Sequence, residues 1–316
     1  MNILDENIIE SQCNLLRSWR ISFRQKGVLL AKKVIYYLFI LIFVSGCSVQ
    51  KLALRSISDI LDNSMAALYE ESDLALAEQA IASDLKLLEG LIKSDPNNEK
   101  FLLLACQGFG SYALGFIEDT NPDRARSFYL RGRDYGLKIL NKNQDFYRAI
   151  IGSIDKLESA LKKFNKDDVP ALFWTANNWA SWINLNFTDP QALAALPKVQ
   201  LIMQRVLELD ESYFYGGAHL FFGTIYAVRP PILGGNIEKA QQHFDRCLEF
   251  CQEKFLLPYV YYARFYATRT LDEDLFSNTL NKVINTPDEI LPEQRLPNAI
   301  AKQKAKRLLE QIEDFF

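Results

Sequence analysis

Tryptophan and asparagine side chains cluster in residues 173–184, and their types suit ligand binding. On a helix, Trp174, Asn178 and Trp182 would share one stripe, because residues four apart lie on the same face. Aromatic walls give affinity and amides orient a ligand, so this combination is typical of a small-molecule or peptide site. Ordinary packing with satisfied amides is the alternative, although asparagine is a poor helix former. The candidate groove residues are Trp174, Asn177, Asn178, Ser181, Trp182 and Asn184.

Residues typical of catalysis or metal binding are scarce in this chain. It has two histidines, His219 and His243, and neither has a second histidine or a cysteine at metal-ligand spacing. No H-E-x-x-H, G-x-S-x-G, P-loop or G-x-G-x-x-G motif is present. We therefore predict structural histidines, no metal, no cofactor, no catalytic residues and no enzymatic activity. An all-α hydrolase, whose two carboxylates meet only in space, is the alternative.

The composition excludes several classes of protein. Hydrophobic residues make up 49% of the 316 and aromatic residues 12%, so the chain is too apolar to be intrinsically disordered. The 36 Lys+Arg and 39 Asp+Glu residues give a net charge of -3, and no basic excess points to nucleic acid as a partner. Few glycines (14) and prolines (11) favour helices over a turn-rich β fold.

Residues 1–46 predict a lipoprotein signal peptide. Six basic residues precede an apolar run at 34–44, which as a helix is only about 16 Å long, against a hydrocarbon core of about 30 Å. Val44-Ser45-Gly46-Cys47 then resembles a bacterial lipobox, whose cysteine receives lipid before cleavage. We expect lipid attachment at Cys47 and a periplasmic protein held on a membrane, with Ser48 favouring the outer membrane. An uncleaved signal anchor is the alternative.

Cleavage after residue 46 would leave a more acidic mature chain. The leader holds 6 basic and 3 acidic residues, so 270 residues remain with 30 basic and 36 acidic side chains, a net charge of -6. Its other cysteines, Cys106, Cys247 and Cys251, are odd in number and do not indicate a disulfide framework. We predict a tether at 47–60 that includes the start of the first helix. One helical domain at 61–316 follows, because no low-complexity linker divides it.

Helical periodicity runs through almost the whole mature chain, and its helices come in pairs. Breaks such as Asn121-Pro122, Asp189-Pro190 and Pro230-Pro231 separate segments of about 98–119, 122–141, 145–164, 168–187, 190–209, 212–228 and 236–253. Small residues at repeat-like spacing let paired helices approach, as in tetratricopeptide (TPR) repeats. We predict an all-α, TPR-like helical-hairpin solenoid whose first helices line a concave groove; an irregular bundle is the alternative. The three matching copies are Phe109, Tyr112, Ala113, Phe116, Ala125, Tyr129 and Gly132; Ala176, Trp179, Ala180, Ile183, Ala192, Leu196 and Val199; and His219, Phe222, Gly223, Tyr226, Ala240, Phe244 and Cys247.

Two further segments have alternative interpretations. Residues 229–236 are an insertion between the helices of the third copy, and we predict that Arg229 and Asn236 border a pore or groove. A turn followed by an Asn N-cap is the simpler reading. Basic residues on the last helix predict a solvated face; they are Lys302, Lys304, Lys306 and Arg307.

Several of these segments together resemble the T component associated with TRAP transporters (TatT). They are the lipobox, the degenerate repeats, and the sequences GGN-x-EKA-x-x-HF at 234–244, YARFYA at 262–267 and LPEQRLPNA at 291–299. The resemblance implies a periplasmic lipoprotein with TPR-like helices that works with a solute-binding P subunit and a permease for organic, often acidic or hydrophobic, ligands. It also implies a homotrimer with a hole through each protomer, and it transfers no site residues.

Three functional hypotheses follow. The first is a non-enzymatic, lipid-anchored component that binds a P subunit, a small organic ligand, or both. The second is a general TPR-like scaffold for the assembly of envelope proteins, and the third is the all-α hydrolase.

Overall fold

The computed structural model describes residues 60–316. The predicted signal peptide at 1–46, the lipid-attachment residue Cys47 and nearly all of the tether at 47–60 lie outside the described residues. Residues Ser64–Phe316 form one compact unit. All regular secondary structure in the described part of the chain is helical, which confirms the all-α prediction.

Thirteen α-helices are numbered here in chain order, preceded by helical residues at 60–69. They are α1 (Leu74–Ser94), α2 (Glu99–Tyr112), α3 (Pro122–Leu140), α4 (Gln144–Ile150), α5 (Ile154–Leu161), α6 (Val169–Asn184), α7 (Pro190–Asp210), α8 (Tyr213–Val228), α9 (Ile237–Cys251), α10 (Leu257–Tyr261), α11 (Thr268–Thr270), α12 (Glu273–Asn285) and α13 (Arg295–Glu310). A π-helical turn, Ala113–Ile117, extends α2, and a second, Tyr262–Ala267, joins α10 to α11.

The helix starts follow from short polar side chains in the sequence. An Asn or Asp side chain accepts a hydrogen bond from a backbone N–H of the first turn, which satisfies a donor that lacks a partner within the helix. Such caps begin α1, α2, α3, α4, α7, α9 and α12; they are Asp73, Asn98, Asn121, Asn143, Asp189, Asn236 and Asp272. The single helix expected at 145–164 is instead two, α4 and α5, because the chain turns at Gly152 and Ser153.

Helices pack in consecutive pairs: α2 with α3, α6 with α7, and α8 with α9. Helix α3 also packs along α6, the first helix of the next pair. Glycines permit this approach, since a Cβ on Gly132 would lie 2.7 Å from Oδ1 of Asn178 and a Cβ on Gly136 would lie 2.0 Å from Oγ1 of Thr175. The hairpins are therefore present as expected, and their winding into a solenoid stays a prediction.

The largest core cluster joins α6 and α7 to the helices on either side, and its fully buried members include Leu172, Ala176 and Met203. By length and composition alone, Glu99–Ile117 could cross a membrane. In this fold it is a core helix, because it packs against α1, α3 and α6.

One charge prediction for α13 was wrong. Lys304 is buried, and its Nζ lies 2.8 Å from Oδ2 of Asp119, a carboxylate that Arg307 also contacts at 2.6 Å. These two ion pairs connect the last helix to the loop after α2. Helical spacing alone could not reveal it, because the partner is 185 residues away in the sequence.

Candidate functional site

A partly open cavity of about 200 Å³, called here the α6–α8 cavity, lies among α2, α6, α8, α10 and the start of α13. Its wall is mainly aromatic, with Phe173, Trp174, Phe214, Phe221, Phe255, Tyr261 and Phe265 among the lining residues. Its polar and charged lining residues are Ser111, Glu118, Asn177, Ser181, Asn184, Thr224, Arg229 and Arg264. Apolar walls with a few convergent polar groups are the usual make-up of a small-molecule site.

Helix α6 supplies one complete face of this cavity. Trp174, Asn177, Ser181 and Asn184 all line it, as expected for residues spaced three or four apart. Trp174 lies deepest, with 4% of its surface exposed, whereas Asn184 is exposed. The face therefore runs from a buried indole to an open amide, which suits a ligand with an apolar body and a polar end.

Asn178 does not line the cavity, so its assignment to the groove was wrong. Its side chain is fully buried, and its Nδ2 donates to the carbonyls of Cys106 at 2.9 Å and Trp174 at 2.8 Å. Gly110 and Gly132 leave room for this amide between α2 and α3. Asn178 therefore holds the helices in position rather than contacting a ligand.

Two other candidates also lie elsewhere. Trp182 is partly buried against the main core cluster and does not line the cavity. Asn236 caps α9, since its Oδ1 accepts a 2.8 Å hydrogen bond from the N–H of Lys239, which is the simpler of the two readings. Arg229, by contrast, does line the cavity.

The cavity lining carries two guanidinium groups and one carboxylate. Arg229 and Arg264 make no ion pair with any carboxylate in residues 60–316. The Arg264 guanidinium lies 5.2 Å from the ring centre of Phe265, and burial lowers the pKa of the Arg229 guanidinium. Glu118 is the sole carboxylate among the described lining residues, so the paired carboxylates of the hydrolase alternative do not meet here.

Glu118 already accepts a hydrogen bond from a neighbouring phenol. The Tyr129 hydroxyl donates a hydrogen bond to Oε2 of Glu118. Burial, and then the Glu118 carboxylate, raise the pKa of Tyr261, so this lining phenol stays neutral and can donate a hydrogen bond. The Thr224 hydroxyl is buried at the wall without a hydrogen-bond partner among residues 60–316, and a ligand atom could satisfy it.

Unusual backbone borders the cavity at three places. Both π-helical turns contribute lining residues, among them Phe116 and Arg264. At the start of α8, Phe214, Tyr215 and Gly216 have left-handed φ angles of 48°, 56° and 72°. Such strain is uncommon for aromatic residues, persists only where the surroundings enforce it, and concentrates at functional sites.

The strained segment is held by aromatic packing. The Phe214 ring centre lies 4.7 Å from that of Trp174 in a T-shaped arrangement, and 5.6 Å from that of Phe255. Gly217 must lack a side chain, because a Cβ there would lie 2.5 Å from the ring of Phe173. The sequence did not predict these lining residues, although Arg264 belongs to the YARFYA segment and Phe214 to an aromatic run that ends in two glycines.

The fold and the cavity define an all-α protein whose helical hairpins enclose a mostly aromatic site. The family model for the TRAP transporter T-component matches residues 70–316, more than three quarters of the chain, so the chain belongs to that family. This is a transport-associated family and not an enzyme family. The chain is also 24% identical over 302 residues to a protein of Treponema pallidum (strain Nichols) described as uncharacterized. That match covers 86% of this chain and 94% of the relative.

Proposed function

We propose that this T component binds a small organic anion in the α6–α8 cavity, which would be its contribution to TRAP-type transport. The observation that carries the proposal is the presence of Arg229 and Arg264 at an aromatic cavity with no carboxylate partner in the described chain. Both guanidinium groups are half-buried at the cavity wall, and a carboxylate on the ligand would pair with them through charge-assisted hydrogen bonds.

The size of the cavity limits the ligand. A cavity of about 150 Å³ holds one benzene molecule, so about 200 Å³ suits a single ring or a short branched chain with an acidic end. Asn177 and Ser181 lie beside Trp174 on the same wall and could orient polar atoms of that ligand.

Saturation-transfer NMR with 3-phenylpropionate and its neutral amide tests this proposal. Hydrogen bonds to a charged group contribute about 1.5–3 kcal/mol, so the amide should bind roughly 10- to 100-fold more weakly. Arg264→Gln should reduce the preference for the carboxylate, since Arg229 remains. Arg269→Gln, an exposed arginine on the same helical segment, is the matched control and should retain it. Equal binding of acid and amide by the unaltered protein would refute the anion site.

We further propose a lipid-anchored periplasmic protein, attached through Cys47, that passes ligand to or from a solute-binding P subunit, with a homotrimer as the assembled form. The family membership and the lipobox-like sequence before Cys47 support this. Cys47→Ser should abolish labelling with an alkyne-tagged palmitate and release the protein from membranes. Co-purification of the unaltered protein from detergent-solubilised membranes should recover the P subunit, and its absence under gentle cross-linking would count against the partnership.

A further inference from the structure

The two histidines of this chain meet in space, although 24 residues separate them. His219 lies on α8 and His243 on α9, and their Nδ1 atoms are 2.9 Å apart. Neither lines the α6–α8 cavity. The prediction of structural histidines did not include their pairing, which tertiary packing creates.

A carboxylate orients the first imidazole. Oε2 of Glu211 lies 3.3 Å from Nε2 of His219, while Nη2 of Arg246 donates to Oε1 of Glu211 at 2.6 Å. When Nε2–H of His219 donates to Glu211, its Nδ1 carries a lone pair directed toward His243. The same carboxylate–imidazole arrangement fixes the tautomer of metal-binding histidines.

Aromatic packing holds the second imidazole. His243 stacks on Phe222, at 5.4 Å between ring centres, and on Tyr226, at 5.6 Å. Burial lowers the pKa of both imidazoles, that of His243 to about 4, so both are neutral near pH 7. Two cations, Lys239 and Arg246, and two carboxylates, Glu211 and Glu249, act on the pair, so the surrounding charge is balanced.

We propose that His219 and His243 bind one copper(II) ion through their two Nδ1 atoms, with water as the remaining ligands. Metal–imidazole bonds are about 2.0–2.1 Å long, so two donors 2.9 Å apart subtend about 90° at the ion, as in a tetragonal copper(II) site. Copper(II) also has the highest affinity among the divalent ions that imidazole favours.

Binding requires modest rearrangement. The rings, now inclined at 45° to each other, must turn so that both lone pairs converge on the ion. The proton shared between the two Nδ1 atoms moves through solvent to Nε2 of His243, which keeps both imidazoles neutral. His219 retains 13% side-chain exposure, which leaves a solvent route for the ion. No third His, Cys, Asp or Glu in residues 60–316 completes a larger metal cluster, so the expected signature is two nitrogens.

Electron paramagnetic resonance and calorimetry test this site on the full chain, purified without a histidine tag and titrated with copper(II) at pH 7.5. We expect one ion per chain with hyperfine coupling to two imidazole nitrogens. These can come only from this pair, because the chain has no other histidine. Either His219→Gln or His243→Gln should weaken binding at least 100-fold, with folding checked by circular dichroism. Glu211→Gln keeps both imidazoles and should weaken binding roughly 10- to 100-fold, which tests the site even if a histidine variant misfolds.

Three results would overturn the proposal. The first is no binding at 100 µM copper(II), which would leave a hydrogen-bonded pair only. The second is equal affinity in the double histidine variant, which would place the ion on other donors. The third is a spectrum without coupling to two nitrogens.

Discussion

Gly136→Ala probes the close approach of α3 and α6 that positions Trp174. A Cβ on Gly136 would lie 2.0 Å from Oγ1 and 3.0 Å from Cβ of Thr175, and 2.9 Å from Sγ of Cys106. Thr175 and Cys106 are fully buried, and the Thr175 hydroxyl already donates to the carbonyl of Ala171 at 2.6 Å. Rotating the threonine would break that hydrogen bond and leave its Cβ in the same place. The helices must therefore separate.

The expected cost follows from three contributions. Overpacking costs about 1–3 kcal/mol, loss of the Thr175 hydrogen bond costs about 1 kcal/mol, and replacing a helical glycine with alanine returns about 1 kcal/mol. We expect the free energy of unfolding to fall by about 1–3 kcal/mol. For a domain of this size that lowers Tm by about 2–4 °C per kcal/mol.

Urea denaturation followed by circular dichroism measures this change, and Gly90→Ala is the matched control. Gly90 lies in α1, and apart from the backbone of its own helix no described atom is within 4 Å of an added Cβ. The same substitution there should stabilise the protein by about 0.5–1 kcal/mol. If both variants were equally stable, the close packing of α3 on α6 would be refuted as the reason for glycine at 136.

Three other substitutions test separate features. Glu89→Gln should destabilise the protein by about 1–3 kcal/mol at pH 7: burial alone would raise the pKa of Glu89, but hydrogen bonds from its cationic and phenolic neighbours lower it. The stability that Glu89 contributes is therefore present above the unfolded carboxyl pKa of about 4.5 and is lost as pH falls through the lower folded pKa. The free energy of unfolding of Glu89→Gln should fall less steeply with acid than that of the unaltered protein. An identical pH profile for the two proteins would contradict this. Lys304→Met should lower the free energy of unfolding by about 1–3 kcal/mol, because it removes the buried ion pair with Asp119. Lys306→Met, at an exposed residue of the same helix, is the control and should change stability by less than about 0.5 kcal/mol. Similar urea midpoints for the two variants would refute the burial argument. Gln252→Gly should stabilise the protein by about 1 kcal/mol, because Gln252 ends α9 with a left-handed φ of 51° that glycine adopts without strain. Thermal melts measure this change, and a lower Tm would contradict it.

One face of the candidate site could be read from the sequence. Helical periodicity placed Trp174, Asn177, Ser181 and Asn184 together, because residues three and four apart share a face whatever surrounds the helix. The same rule also placed Asn178 on the face of Trp174, and for Asn178 the prediction of a groove residue was wrong. Its amide fits between α2 and α3 only because Gly110 and Gly132 of those helices lie opposite.

The opposite wall could not be predicted. Phe214 reaches the cavity through a left-handed backbone that aromatic residues rarely adopt, so local propensity argues against the observed conformation. Arg264 lies on a π-helical turn, which shifts the register of the side chains away from ordinary helical spacing.

Composition, periodicity and polar caps determined that this chain forms helices, where most of them begin, and that they pair. These are local properties, set by propensity and by hydrogen bonds within a few residues. Tertiary structure decided which side chains meet: His219 with His243, Lys304 with Asp119, and the aromatic wall with two arginines that pair with no carboxylate in residues 60–316. Such contacts join residues far apart in the sequence, and they depend on how closely helices approach, which a single sequence does not encode in any local pattern.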